Sequence, residues 1–244
     1  MRDTTQSSER KGAQGAATKL SRIPLTQSDP SLLEHTNVSM YNPSIFPRMI
    51  EKIPESHCGS AHIEHFTITE EQSTLCKVRA FINRRASECV SPGKYARLRI
   101  HGGIMMTDTD MERATNLELI EQARGHVLVG GLGLGMVAFA LLAKRPKIHS
   151  LTVLEYNPDV MELVCRHLPK DPRLSVIDAD VFTWKSRRLD PKFNTIYMDI
   201  WPNVSKGNHE AIERLYEHYQ PMLSPKGWMG DWQTEFLKYN EEQA

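Results

Sequence analysis

The residues best suited to chemistry lie in the second half of the 244-residue chain. The run Val127-Leu-Val-Gly-Gly-Leu-Gly-Leu-Gly-Met136 carries Gly131, Gly133 and Gly135 directly after an apolar stretch. Glycine permits a tight strand-to-helix turn and lets a ligand touch the backbone. Free N–H groups at the start of the next helix favour an anionic group, which suits a nucleotide-like cofactor. A dinucleotide fingerprint would need a third glycine at position 136, where the chain has Met136, so the spacing is G-x-G-x-G and not G-x-G-x-x-G. Two acids follow. Glu155 closes LTVLE, 24 residues beyond Gly131, and Asp180 closes SVIDAD. An acid at the end of a second strand can accept hydrogen bonds from ribose hydroxyls. Both acids read equally well, taken singly, as caps of the next helix or turn. A third acid, Asp199, ends the run NTIYMD. It is the first candidate for a base that takes a proton from an amine or hydroxyl. Trp201, just beyond, could stack on a flat substrate, face a cation, or serve only as an apolar lid.

Such residues act together only if strand ends converge. HVLVG, LTVLEY, LSVID, NTIYMDI and KGWMGDW read as strands. MVAFALLAKR, PDVMELVCRHL and HEAIERLYEHYQPML read as helices between them. This alternation predicts an α/β fold, a Rossmann-like parallel sheet of about five strands with helices on both faces. Upstream, HIEHFTI, TLCKVRAFI and YARLRI carry β-branched and aromatic residues and predict a small antiparallel β-unit. The turn signal SPG at 91–93 separates the last two. A helix is expected from Asp110, with Met111, Leu117 and Ile120 on its buried face and Gly125 as its stop. Asp108 and Glu112 flank that helix start. They could line the site or serve as first-turn acids, with Asp108 preferred as site-lining and Glu112 left open. Tyr95, Arg97 and Arg99 share one face of YARLRI by alternation, read as a solvated strand face. The expected organisation is a flexible tail over 1–30, rich in Ser, Thr, Gln and Gly, an N-terminal segment over 31–109, and the cofactor domain over 110–244.

Composition narrows the class. Lys plus Arg and Asp plus Glu each number 30, and 40% of residues are hydrophobic, as in an ordinary globular protein. Balanced charge argues against bulk electrostatic binding to nucleic acid or anionic membrane. Four cysteines without a CxxC pair, and no secretory apolar region, predict a reducing, cytoplasmic setting. The apolar run over 127–143 is too short and glycine-rich for a membrane helix. His57, Cys58, His62 and His65 are irregularly spaced, with no partner pair at zinc-site distance, so no metal is expected.

The glycine spacing resembles that of class I S-adenosylmethionine (SAM) methyltransferases. The stretch from about Gly102 to Phe236 further resembles their spermidine-synthase-like branch, on GHVLVGGLGLG, LTVLEYNPDVMELV, DPRLSVIDADVF, NTIYMDIWP and GWMGDWQTEF. More closely still, IMMTDTDMER, GLGLGM and DIWP resemble uncharacterised bacterial and phage SAM-methyltransferase-like proteins. The resemblance implies strand order 3-2-1-4-5 and SAM as cofactor. The glycine turn would lie against its methionine portion. Glu155 would meet the ribose, Asp180 the adenine amino group, and Val181 and Phe182 would wall the ring. Gln233 and Glu235 match the Gln and Glu after the last strand of aminopropyltransferases, which makes Gln233 a substrate candidate.

The resemblance also implies methyl transfer to an unidentified small-molecule or macromolecular acceptor, with aminopropyl transfer from decarboxylated SAM as the alternative. A non-catalytic SAM-binding scaffold is a third reading. Aminopropyltransferases carry D-x-x-D-P after the fourth strand. Here the segment is Asp199-Ile-Trp-Pro-Asn203, so the first acid is present and the second is missing. The residues after the fifth strand are too few for two further strands. The edge is then expected to be completed by the N-terminal β-unit, a partner subunit, or nothing. The oligomeric state is open, a homodimer included.

Overall fold

A computed structural model describes residues 45–83, 89–144, 146–187 and 190–242. All of them belong to one compact unit, Tyr41–Ala244. The expected tail over 1–30 lies outside the described residues.

Five strands build the central sheet: β5 (Gly125–Gly130), β6 (Ile148–Glu155), β7 (Leu174–Asp178), β8 (Phe193–Met198) and β9 (Leu223–Asp231). Their order is β7-β6-β5-β8-β9, and every pairing is parallel. Counted along this domain, that is 3-2-1-4-5, the order the resemblance implies. Period-two alternation sends β5 side chains to both faces. Val127 and Val129 pack with α4 (Met136–Lys144) and α5 (Pro158–Val164), and Leu128 joins Leu215 and Tyr219 of α6 (Gly207–Tyr219). A strand buried on both sides must read as a continuous apolar run, and β5 does. Residues 232–242 form α7 (Trp232–Glu242). Among the described residues no strand pairs with the free edge of β9.

The N-terminal β-unit is a separate antiparallel sheet, in the order β1 (Ser56–Cys58), β2 (Ala61–Ile68), β3 (Gly93–Ile100) and β4 (Gly103–Thr107). It does not extend the parallel sheet. One expectation fails here. TLCKVRAFI is not a strand but most of α1 (Glu70–Asn83). Thr69 and Gln72 form a reciprocal capping box, with each backbone N–H donated to the other's side chain at 2.9 and 3.2 Å. Glu70 and Glu71 sit in the first turn. This local start signal outweighs the β-branched content of the segment. A second difference is Tyr95, read as solvated. It is 4% exposed, and its hydroxyl donates to the Ser91 carbonyl at 2.8 Å, while Arg97 and Arg99 share Glu64. The helix expected from Asp110 is broken at Asn116 into α2 (Asp110–Thr115) and α3 (Leu117–Gln122).

The small sheet is tied to the core close to the glycine turn. Asp159 on α5 accepts the Ser60 N–H at 2.7 Å and its hydroxyl at 2.8 Å. Met106 at the end of β4 lies against the turn, with the Leu134 N–H 3.3 Å from its sulfur. Among the described residues no helix is long and apolar enough to cross a membrane.

Candidate functional site

The carboxyl ends of β5, β6 and β8 meet at a cavity of about 530 Å³, within the usual range of small-ligand sites. Its floor carries Gly131, Gly133, Glu155, Asp180, Val181, Phe182, Asp199 and Trp201. Its roof comes from the small sheet, through Leu98, Ile100, His101, Met105 and Met106.

The glycine turn is shaped by crowding. Gly131, Gly133 and Gly135 all have positive φ, at 97°, 51° and 75°. A Cβ on Gly131 would collide with the Asp199 carbonyl oxygen, and one on Gly133 with the Met106 sulfur. The turn is therefore locked between β8 and the roof. Gly135 differs from the other two, since its Cβ would meet Leu168 and Val164. It does not line the cavity but serves close packing of the helix start.

Glu155 spends both oxygens on the loops around it. One accepts the Leu132 N–H at 2.9 Å, and the other accepts the Asn157 N–H at 2.8 Å. Each oxygen keeps a second lone pair for a ligand. The capping reading and the ligand reading are thus compatible at this residue. Asp180 uses one oxygen to accept the Phe182 N–H at 2.9 Å. Leu154, Ala179, Val181 and Phe182 supply apolar walls between these acids. Acceptors for a pair of hydroxyls, an acceptor for an amino group, and an apolar slot fit an adenosyl group.

Asp199 follows β8 and is fixed by its backbone, its N–H donating to the Gly130 carbonyl at 2.8 Å. Its carboxylate makes no hydrogen bond among the described residues. Burial pushes its pKa up from the usual carboxylate value to about 7. Glu112 on α2 is buried outside the cavity lining, and burial, with a smaller effect of the Asp199 charge, raises its pKa well above the ordinary range.

Besides Gly135, two predicted site residues stand elsewhere. Asp108 is completely buried outside the cavity lining. Its oxygens accept the Met49 and Ala96 N–H groups, both at 2.7 Å, and Arg113 approaches at 3.5 Å. It ties the chain entry, β3 and α2 together, and the preference for it as site-lining is corrected. Gln233 is also buried away from the cavity. Its side-chain oxygen accepts the Ser205 N–H at 3.0 Å and the Asn208 amide at 2.8 Å, bracing the loop after Trp201. Trp201 itself lines the cavity and packs on the α6 side of the sheet. Sequence reading missed His101, Met105 and Met106, because hairpin residues carry no periodic signal. His101 is the one non-glycine residue with positive φ among the described residues, at 50°. Histidine tolerates that region better than most residues. Among the described residues no three His, Cys, Asp or Glu side chains gather as metal ligands.

No family model matches the chain. A curated relative, the polyamine aminopropyltransferase of Corynebacterium efficiens, is 31% identical over 137 residues, which is 51% of this chain and 25% of that protein. The chain thus spans about a quarter of the length of the curated relative it matches. Among solved structures, the N-methyltransferase NodS of Bradyrhizobium japonicum bound to S-adenosylhomocysteine (SAH) is 17% identical, covering 48% of this chain and 56% of that one, with a TM-score of 0.36. An SAH-bound methyltransferase of Podospora anserina is 15% identical, covering 53% of this chain and 65% of that one, with a TM-score of 0.38.

Proposed function

We propose that this chain is a SAM-dependent methyltransferase. The observation that carries the reading is the convergence of Gly131, Gly133, Glu155, Asp180 and Asp199 on one cavity at the carboxyl ends of a 3-2-1-4-5 sheet, where ligands of open α/β sheets bind. SAM, when bound, supplies a methyl group on an electrophilic sulfonium. Glu155 would hold its ribose hydroxyls, Asp180 its adenine amino group, and Val181 and Phe182 its ring. Gly131 and Gly133 leave the backbone open to the methionine portion. Asp199 takes the proton that an amine or hydroxyl acceptor must lose, and a pKa near neutral suits that task. The cavity walls exclude water and hold the acceptor in line, which can supply much of the rate.

One observation favours aminopropyl transfer as a second reading. The described cavity lining contains acids and His101 but neither Lys nor Arg to meet the carboxylate of SAM. Decarboxylated SAM lacks that carboxylate, and the curated relative is an aminopropyltransferase. Against it stands the missing second acid after β8.

Calorimetric titration with SAM and SAH tests the shared part. Micromolar or tighter binding is expected, and no binding of either overturns the reading. Incubation with SAM or with decarboxylated SAM, each with putrescine, then separates the two transfers by product mass. Tight binding with transfer to no acceptor in a cell extract would favour a scaffold instead.

A further inference from the structure

On α1 the long apolar side chains face solvent and the small ones face the protein. Leu75, Val78 and Ile82 are 52%, 52% and 71% exposed. Ser73 and Ala80 are buried, and Cys76 is half-buried. Each helical residue turns about 100° around the axis, so the line 73, 76, 80 and the line 75, 78, 82 lie on opposite sides. An amphipathic helix ordinarily buries its large apolar stripe against its own core. Here the stripe has the three-then-four spacing of a helix-pairing seam, and it points away from the core. The other exposed large apolar side chains among the described residues, Ile104, Tyr156, Val204 and Leu237, sit on four different segments. Apolar residues scattered singly need no partner, whereas a contiguous row marks an interaction surface.

The charges on the helix select the occupant. Glu70 and Glu71 stand in its first turn, and Lys77 and Arg79 in its second half, all of them exposed. Glu71 precedes Leu75 by one turn and so heads the stripe, while Arg79 flanks Val78. A second copy laid parallel would set Glu71 against Glu71 and Arg79 against Arg79. Laid antiparallel, with Leu75 of one copy against Val78 of the other, the helices bring each Glu71 to the Ile82 end of the other copy, beside its Arg79. The helix dipoles then also run in opposition, which is the favourable sense. The helix face is thus complementary to itself, as an interface across a two-fold axis must be. Because α1 joins β2 to β3, such a contact links the small sheets of two copies and uses neither β7 nor β9.

We propose that α1 is a homodimer interface, in which Leu75, Val78 and Ile82 pack antiparallel on the same helix of a second copy, flanked by ion pairs between Glu71 and Arg79. The proposal goes beyond the transferase reading and does not depend on it. A seam of two turns is smaller than the roughly 800 Å² per partner of stable complexes, so this dimer exchanges with monomer.

Sedimentation equilibrium of the full chain from about 1 to 500 µM is the test, the range in which a small interface assembles. Wild type is expected to pass from monomer to dimer, and a monomer at every concentration overturns the proposal. Val78→Glu puts a charge into the seam at an exposed position and should weaken association by about 10-fold or more. Glu71→Arg and Arg79→Glu should each weaken it by about 3- to 10-fold, since each turns two attractive pairs into repulsive ones. Combining those two swaps should restore association to within about twofold of wild type. An unaffected dimer in Val78→Glu, or a combined swap no tighter than the single ones, overturns the proposal. Should a variant fail to fold, amide exchange of wild type decides. The α1 amides must exchange more slowly at high protein concentration than at low, and equal rates overturn the proposal.

Discussion

Asp199 has two consequences that separate in experiment. A carboxyl whose pKa is higher in the fold than in the unfolded chain binds its proton more tightly when folded. The penalty for ionising it is absent below the unfolded value of 3.8, grows as pH rises toward about 7, and is then complete. Asp199→Asn removes that penalty. Relative to wild type, the variant should gain up to about 4 kcal/mol between pH 4 and 8, at about 1.4 kcal/mol per unit. Urea unfolding at both pH values checks this; an equal difference at the two would refute it. Glu155 is the counterpart on the cofactor side. Glu155→Ala should weaken SAH by about 0.5–1.5 kcal/mol for each ribose hydrogen bond lost, and it also frees the Leu132 and Asn157 N–H groups. Unchanged SAH affinity in calorimetry would leave Glu155 a purely structural cap. Gly131→Ala acts on the fold itself. At φ 97°, with the Asp199 carbonyl in the way, it should cost about 1–3 kcal/mol or more in urea unfolding.

At the scale of elements, Asp108 shows how a polar residue can be structural. It satisfies two backbone N–H groups from different segments and meets the buried Arg113. Asp108→Ala should destabilise the protein by about 3–5 kcal/mol, as expected for breaking a buried charged network. Folded variant should still bind SAH; a variant of wild-type stability would contradict the assignment. Sequence legibility at this scale follows from where each signal lives. The β5 run HVLVG and the glycine turn were readable because a two-face buried strand and a positive-φ turn each demand particular residues. The helix α1 carried its own start signal in Thr69-Glu-Glu-Gln72, yet β-branched content pointed the other way. Tyr95 shared an alternating face with two arginines and still lies buried at the strand's end.

At the scale of the whole molecule, two sheets enclose one cavity, the parallel one as floor and the antiparallel one as roof. A ligand that binds there favours the folded state by mass action. Addition of SAH at 100 times its Kd should raise unfolding stability by about 2.7 kcal/mol, read as a rise in Tm. No rise would argue against occupancy of the cavity. The sequence by itself determined the order of strands and helices, the glycine turn, and three acids at strand ends, because these obey local periodicity and local backbone geometry. Only the tertiary structure decided that Glu112 is buried, that Asp108 and Gln233 brace loops, and that a hairpin with Met106 closes the turn. Those are contacts between segments far apart in the chain. Residue spacing carries no record of them, and burial, which moves carboxyl pKa values, exists only once the segments have packed.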